Sequence, residues 1–454
     1  MNFSQLTTLV PKWVVSGVRA GASTTLKQKD GLIAKRKIFF HGVRPGNFRG
    51  SFKVISFKVA RMRHAKGTML SGSGRLINLA LTKNTELKMA KRQWRTGRML
   101  WIAALVIAVL NHFGRPALAD PPFYVQTDLV SNNGVPGTFP DTNLVNAWGI
   151  VQPPGGPFWV NTNGTGFSEL FDGNGTPVAM LPRVTIPPPM GMMPPSTPTG
   201  IVFNPNFGAK TNNFDGDLFI FATEDGTISG WQPPGTSAVL RKDFSGSNAV
   251  YKGLAFGFTS GGAPMIYATN FHAGRIDVFD GGYNPVVLAP SDFTDPNLPA
   301  HYAPFGIANI GGTLFVSYAL QDSAMHDDVA GPHHGFIDEY TTDGIPVRRF
   351  ASRGALNSPW GMALAPGNFG RFSGKLLVGN FGNGHINAFD LGGKRAGELH
   401  GSHGPIIIDG LWGLAFGNGS TTFNTPTNTL FFAAGPNDES NGLFGKLEVL
   451  ERAH

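Results

Sequence analysis

The sequence predicts an all-β protein: a six-bladed β-propeller of four-stranded blades over residues 120–454, its ring closed by the N-terminal strand of that segment. Three observations predict it. Six short apolar strands, each centred on a glycine, recur at near-equal spacing; the chain combines 61 Gly and 34 Pro with only 15% charged residues; and one apolar strand precedes the first repeat without belonging to it. Such a composition suits many short strands joined by tight turns, and a repeat of roughly 40–55 residues in an all-β chain marks propeller blades.

The repeat begins with Gly followed by an apolar residue, in Trp148-Gly149-Ile150, Thr199-Gly200-Ile201, Lys252-Gly253-Leu254, Phe305-Gly306-Ile307, Trp360-Gly361-Met362 and Trp412-Gly413-Leu414. Successive glycines lie 51, 53, 53, 55 and 52 residues apart, a regularity that two packed sandwiches would not explain. Glycine belongs in the innermost strands because they crowd around the channel, where a Cβ would collide with the next blade.

Second strands follow at Phe158-Trp159-Val160, Leu218-Phe219-Ile220, Met265-Ile266-Tyr267, Leu314-Phe315-Val316, Leu376-Leu377-Val378 and Leu430-Phe431-Phe432. Third strands alternate apolar and polar residues, as in Gly274 to Asp280 and Gly384 to Asp390, the period of a half-buried strand. A looser fourth strand is expected around Pro177 to Met180 in the first blade. The last third strand, Lys446 to Leu450, lacks a partner, and Phe123 to Val130 supplies one, leaving the ring without a free edge.

Charge divides the chain. Residues 1–119 hold 22 of the 37 Lys and Arg with only Asp30 and Glu86, a net charge of +20, whereas 120–454 hold 15 basic and 27 acidic residues, a net charge of −12. An acidic folded region is repelled by polyanions, which excludes nucleic acid as its partner. Lys91, Arg92, Arg95 and Arg98 precede an apolar run from Met99 to Leu110 and the small-residue site Ala117-Leu118-Ala119. That order makes residues 89–119 a signal peptide, cut after Ala119 to release Asp120; an uncut anchor is the alternative. Residues 1–88 are expected to be a disordered upstream extension with Met89 as the physiological start. The mature protein is thus expected to be secreted or periplasmic, monomeric and free of the membrane. With no Cys it has no disulfides to stabilise it there.

The pattern Pro-aromatic-Gly-apolar-Ala, followed by apolar-Val-x-Asn and Gly-x-Ile-x-x-Phe-Asp, resembles NHL-type six-bladed propellers. Leu144-Val145-Asn146-Ala147-Trp148-Gly149-Ile150 with Phe158-Trp159-Val160-Asn161-Thr162-Asn163-Gly164-Thr165-Gly166 more closely resembles a family of bacterial exported proteins without an established activity, some of which carry a C-terminal exosortase sorting tail. The resemblance implies the fold and the compartment. This chain ends Glu451-Arg452-Ala453-His454, without the apolar tail, so that sorting route is not implied.

In such a blade the loops entering the first strand and those joining the second to the third share one face, where convergent polar groups make a ligand site. The ligand-binding candidates there are Asn163, Glu224, Asn270, His272 and Asn380, with Trp360 and Trp412 as an aromatic rim. Aromatics filling the gaps between blades explain the two tryptophans more simply. The insertion in the fourth repeat offers Asp322, His326, Asp328 and His333 as ligands for a divalent metal, against the reading of a solvated loop. Asn163, Asn270 and Asn380 could hold Ca²⁺ through oxygen, as in six-bladed lactonases, or simply close their own turns. Pro187 to Pro195, with Met190, Met192 and Met193, reads as an exposed connector. No catalytic set stands out. The expected function is a binding or scaffold module acting through its channel-mouth loops, with a metal-dependent hydrolase or lyase as the alternative and no certain cofactor.

Overall fold

The computed structural model describes residues 123–450 apart from 136, 209 and 210, so residues 89–119, expected to be a signal peptide, and the expected extension before them lie outside the described residues. The described residues are all-β, with only three single-turn 3-10 segments. No helix among them is long and apolar enough to cross a membrane.

Six antiparallel sheets form the six blades of a propeller. Their innermost strands are Ala147–Val151, Pro198–Phe203, Tyr251–Phe258, Tyr302–Ile310, Pro359–Leu364 and Leu411–Phe416, and each packs against the next until the sixth meets the first. The glycines at their centres show why. An added Cβ would lie 3.0 Å or less from the backbone of the next inner strand at all six: Thr199 O for Gly149, Leu254 N for Gly200, Phe305 O for Gly253, Trp360 O for Gly306, Trp412 O for Gly361 and Trp148 O for Gly413. A steric demand repeated around a circle thus sets the spacing of the repeat.

The sixth blade takes its fourth strand from the other end of the segment. Phe123–Ser131 pairs antiparallel with Leu443–Leu450, with a bulge between Asp128 and Val130. Tyr124 is buried against Phe369 and Phe372 of blade five, so the closing strand also joins the core between blades.

Two outer edges depart from the expected pattern, both at proline. In blade one the fourth strand is Arg183–Thr185, not Pro177 to Met180: Pro177 makes one isolated bridge to Phe171, then the chain turns before pairing resumes. In blade three the sheet has three strands, Tyr251–Phe258, Pro264–Asn270 and Arg275–Asp280. Its outer position is filled by a segment that bridges at Pro285 and bonds at Val286 before Pro290, Pro296 and Pro299 interrupt it. A proline has no N–H to give a ladder.

Candidate functional site

Loops enter the inner strands, and connect second to third strands, on one face. Around the channel mouth on that face a branched hydrogen-bonded circuit, left open between blades four, five and six, draws members from all six blades. Trp412 of blade six donates Nε1–H to Asn146 Oδ1 at 3.0 Å; Asn146, just ahead of blade one, donates to Asn163 Oδ1 at 3.3 Å; and Asn163 donates to Glu224 Oε2 of blade two at 2.6 Å. The Lys252 ammonium of blade three bonds Glu224 Oε1 and, at 2.9 Å, Asp327 Oδ1 of the blade-four insertion. His326 Nδ1 lies 3.0 Å from that same Asp327 oxygen, and Trp360 of blade five donates Nε1–H to the Lys252 carbonyl at 2.9 Å.

Lys252 is the centre of the circuit. Its side chain is only 2% exposed, and a buried ammonium persists only when it is paired. Burial alone would lower its pKa, yet the Glu224 and Asp327 carboxylates beside it raise it above the ordinary lysine range. The hydrogen bond from His326 holds Asp327 well below the usual carboxylate range, and the same contact raises His326. Beneath the ammonium lie the rings of Trp148 and Phe271, at 5.3 and 5.9 Å, placed for cation–π attraction.

Those rings belong to an aromatic floor. Trp148 and Trp412 stack with centroids 3.5 Å apart, Phe381 stacks on the other side of Trp412 at 3.9 Å, and Trp360 meets both tryptophans edge-on. The residues before the anchor glycines therefore converge across the ring, rather than filling separate gaps between blades. Below this floor the channel continues as a cavity of about 430 Å³, ringed by Ile150, Ile201, Leu254, Ile307, Met362 and Leu414, each one residue after an anchor glycine.

Glu439 completes the mouth from the blade-six loop. It ends a run of three left-handed non-glycine residues, Asn437, Asp438 and Glu439, with φ of 58°, 49° and 61°. Such backbone costs energy and is kept where the surroundings enforce it, commonly at functional sites. Burial pushes the Glu439 carboxyl up to about 7, with the Glu224 carboxylate adding to the shift and the Lys252 ammonium opposing it.

Of the residues proposed from sequence, Asn163, Glu224 and His326 join the circuit, and Trp360 and Trp412 anchor it from the floor. The others have local partners. Asn270 binds Asp277 and caps its own turn at Ala273; Asn380 bonds Ala355 O and Asn383; His272 contributes only a backbone carbonyl to Gln321. Asp322 accepts the backbone N–H groups of His326 and Asp327, shaping the insertion, and His333 turns away to Gly354 O at 2.7 Å. Asp328 is raised above the usual range by burial, and its Oδ2 has no hydrogen-bond partner among the described residues. The structure therefore does not gather Asp322, His326, Asp328 and His333 into one site. Among the described residues, the group whose ligand atoms do lie within 4.8 Å of one another is Glu224, His326 and Asp327.

Sequence reasoning overlooked Lys252 and Glu439. Lys252 had a signal, since it occupies the position before the anchor glycine that carries Trp, Thr or Phe in the other repeats. Glu439 had none, because the left-handed residues of its loop are Asn437, Asp438 and Glu439 themselves, while the glycines Gly435 and Gly442 stand at the two ends of the loop.

No family model matches the chain. It is 34% identical to the uncharacterised protein L690 of Acanthamoeba polyphaga mimivirus over 331 residues, 70% of this chain and 84% of the relative. It is 35% identical to the uncharacterised protein R648 of the same virus over 331 residues, 70% of this chain and 78% of the relative. Both relatives are viral, so the bacterial origin implied by the resemblance is not supported. Among solved structures it is similar to virginiamycin B lyase of Staphylococcus aureus, at 15% identity and a TM-score of 0.39 over 72% of this chain and all of that one. A likeness of that size carries no argument about activity.

Proposed function

The chain belongs to the family of the mimivirus proteins L690 and R648, and we propose that it is a non-catalytic binding module that holds a small organic cation at its channel mouth, outside the cytoplasm. The observation that carries this reading is the hydrogen-bonded network at the channel mouth, in which amides and carboxylates drawn from several blades hold one another in place. Glu224, Asp327, Asp328 and Glu439 outnumber Lys252 and His326, and the Asp327 side chain is 65% exposed, so the rim offers surplus negative charge to solvent. An ammonium ligand beside these carboxylates gains charge-assisted contacts, while the aromatic floor, already covered by Lys252, backs the site from below. Export rests on the basic, apolar and small-residue order of residues 89–119.

The test is calorimetric titration of putrescine against the full chain at pH 6 and pH 8. Glu439 titrates at about 7, so its negative charge is present above that pH and lost below it. Putrescine should therefore bind more tightly at pH 8, by about fivefold or more for a contact worth roughly 1 kcal/mol, and Glu439→Gln should shrink the difference to the part that deprotonation of His326 supplies. Succinate binding in place of putrescine would overturn the reading.

A second reading, a metal-dependent hydrolase or lyase, is favoured by the closeness of Glu224, His326 and Asp327. The Lys252 ammonium already bonds two of those three groups, so a divalent ion has to displace it. Stoichiometric zinc in the parent would support that reading. Zinc taken up only by Lys252→Met would show the ammonium holding the cation position.

A further inference from the structure

The exposed connector between blades one and two carries three methionines in four positions. Met190, Met192 and Met193 are 83%, 66% and 84% exposed; of the other described methionines, Met180 and Met325 are exposed but stand singly, Met362 lines the channel and Met265 packs against the core. Apolar side chains are found singly on surfaces without special cause, but three together need a reason.

The loop that presents them is fixed at several points. Ser196 Oγ donates to Ile186 O at 2.7 Å and closes its base, and Ile186 N–H bonds Gly166 O at 2.9 Å, tying that base to blade one. At the tip, Met192 N–H bonds Pro189 O at 3.0 Å around Gly191, whose φ of 82° permits the turn, and Met190 N–H bonds Asp243 Oδ2 of blade two at 2.8 Å. Pro187, Pro188 and Pro189 before it, and Pro194 and Pro195 after it, restrict the two arms. The turn sets Met190 on one side of Gly191 and Met192 and Met193 on the other.

Thioethers are neutral, soft donors. They bind monovalent copper well and hard or borderline cations such as Ca²⁺ and Zn²⁺ poorly. The chain has no Cys, so methionine is its only sulfur ligand. We propose that Met190, Met192 and Met193 form a thioether site for Cu(I), carried on a braced turn apart from the polar circuit. Three neutral ligands suffice for a low-coordinate soft cation, and no proton has to leave for the metal to bind. That last property separates this site from any site built on His326 or His333, where protonation competes with the metal.

Ag(I), which has the same charge and softness but no accessible redox step, is the probe. The full chain, labelled with ¹³C at the methionine methyl groups, is titrated with silver nitrate at pH 5 and pH 8. One equivalent should shift the resonances of Met190, Met192 and Met193 and leave those of Met265 and Met362 in place, equally at both pH values. The triple variant Met190→Leu, Met192→Leu, Met193→Leu keeps the apolar bulk and removes sulfur. It should melt with the parent, take up one equivalent less and hold Cu(I) at least tenfold less tightly in competition with bicinchoninate. Equal silver uptake by parent and triple variant would overturn the proposal, as would uptake that disappears at pH 5, which would assign the ion to imidazole.

Discussion

Glu169 lies in the third strand of blade one, where its side chain is 1% exposed and its nearest cation, Arg183 Nε, is 3.4 Å away. Burial pushes its carboxyl up to about 8, and the nearby Asp141 carboxylate adds to the shift. A carboxyl raised in the folded state binds its proton more tightly there than in the unfolded chain. Its stabilising contribution is full below the unfolded pKa and is lost as pH rises through the folded one. Asp338, raised to about 7 by burial, acts in the same direction. Denaturant unfolding should therefore show stability falling between pH 5 and pH 8. Glu169→Gln should remove on the order of 3 kcal/mol of that fall. An unchanged pH profile in the variant would show that Glu169 is not what the fold destabilises. Nothing in the sequence marks Glu169, since a charged residue in an alternating strand reads as facing solvent. The anchor glycines, by contrast, were legible one by one, because each meets a steric demand that only the smallest residue satisfies.

At the scale of elements, period-two alternation made the second and third strands legible, and the unpaired Lys446 to Leu450 called for the closing strand. The outer strands of blades one and three were less legible because proline shifts or ends their pairing without ending the blade. The polar circuit was only half legible. Its members come from loops of different repeats, and spacing along the chain says nothing about which side chains of those loops turn inward. Phe123–Ser131 offers a direct test at this scale. Deleting it uncovers the Leu443–Leu450 edge and removes Tyr124 from the core between blades five and six. The deleted protein should lose its single cooperative thermal transition and aggregate on heating. Melting that matches the parent would show the strand to be dispensable.

For the whole molecule, the division of charge between residues 1–119 and 120–454 is the feature that composition totals conceal. A basic N-terminal segment and an acidic propeller region sum to +8, a figure that describes neither. We expect expression in a Gram-negative host to yield an exported protein whose N-terminal residue is Asp120. An exported product that retains residues 1–88 would show that the leader is not removed there.

The closing strand also sets an order of events. Gly442 N–H bonds Asn132 Oδ1 across 310 residues of chain, so a strand among the first of the propeller to leave the ribosome waits for one among the last. Until then the growing chain is an open arc whose final interface has no second side, and loop closure of that length is slow. A polypeptide built this way postpones its own completion until nearly all of it has been made.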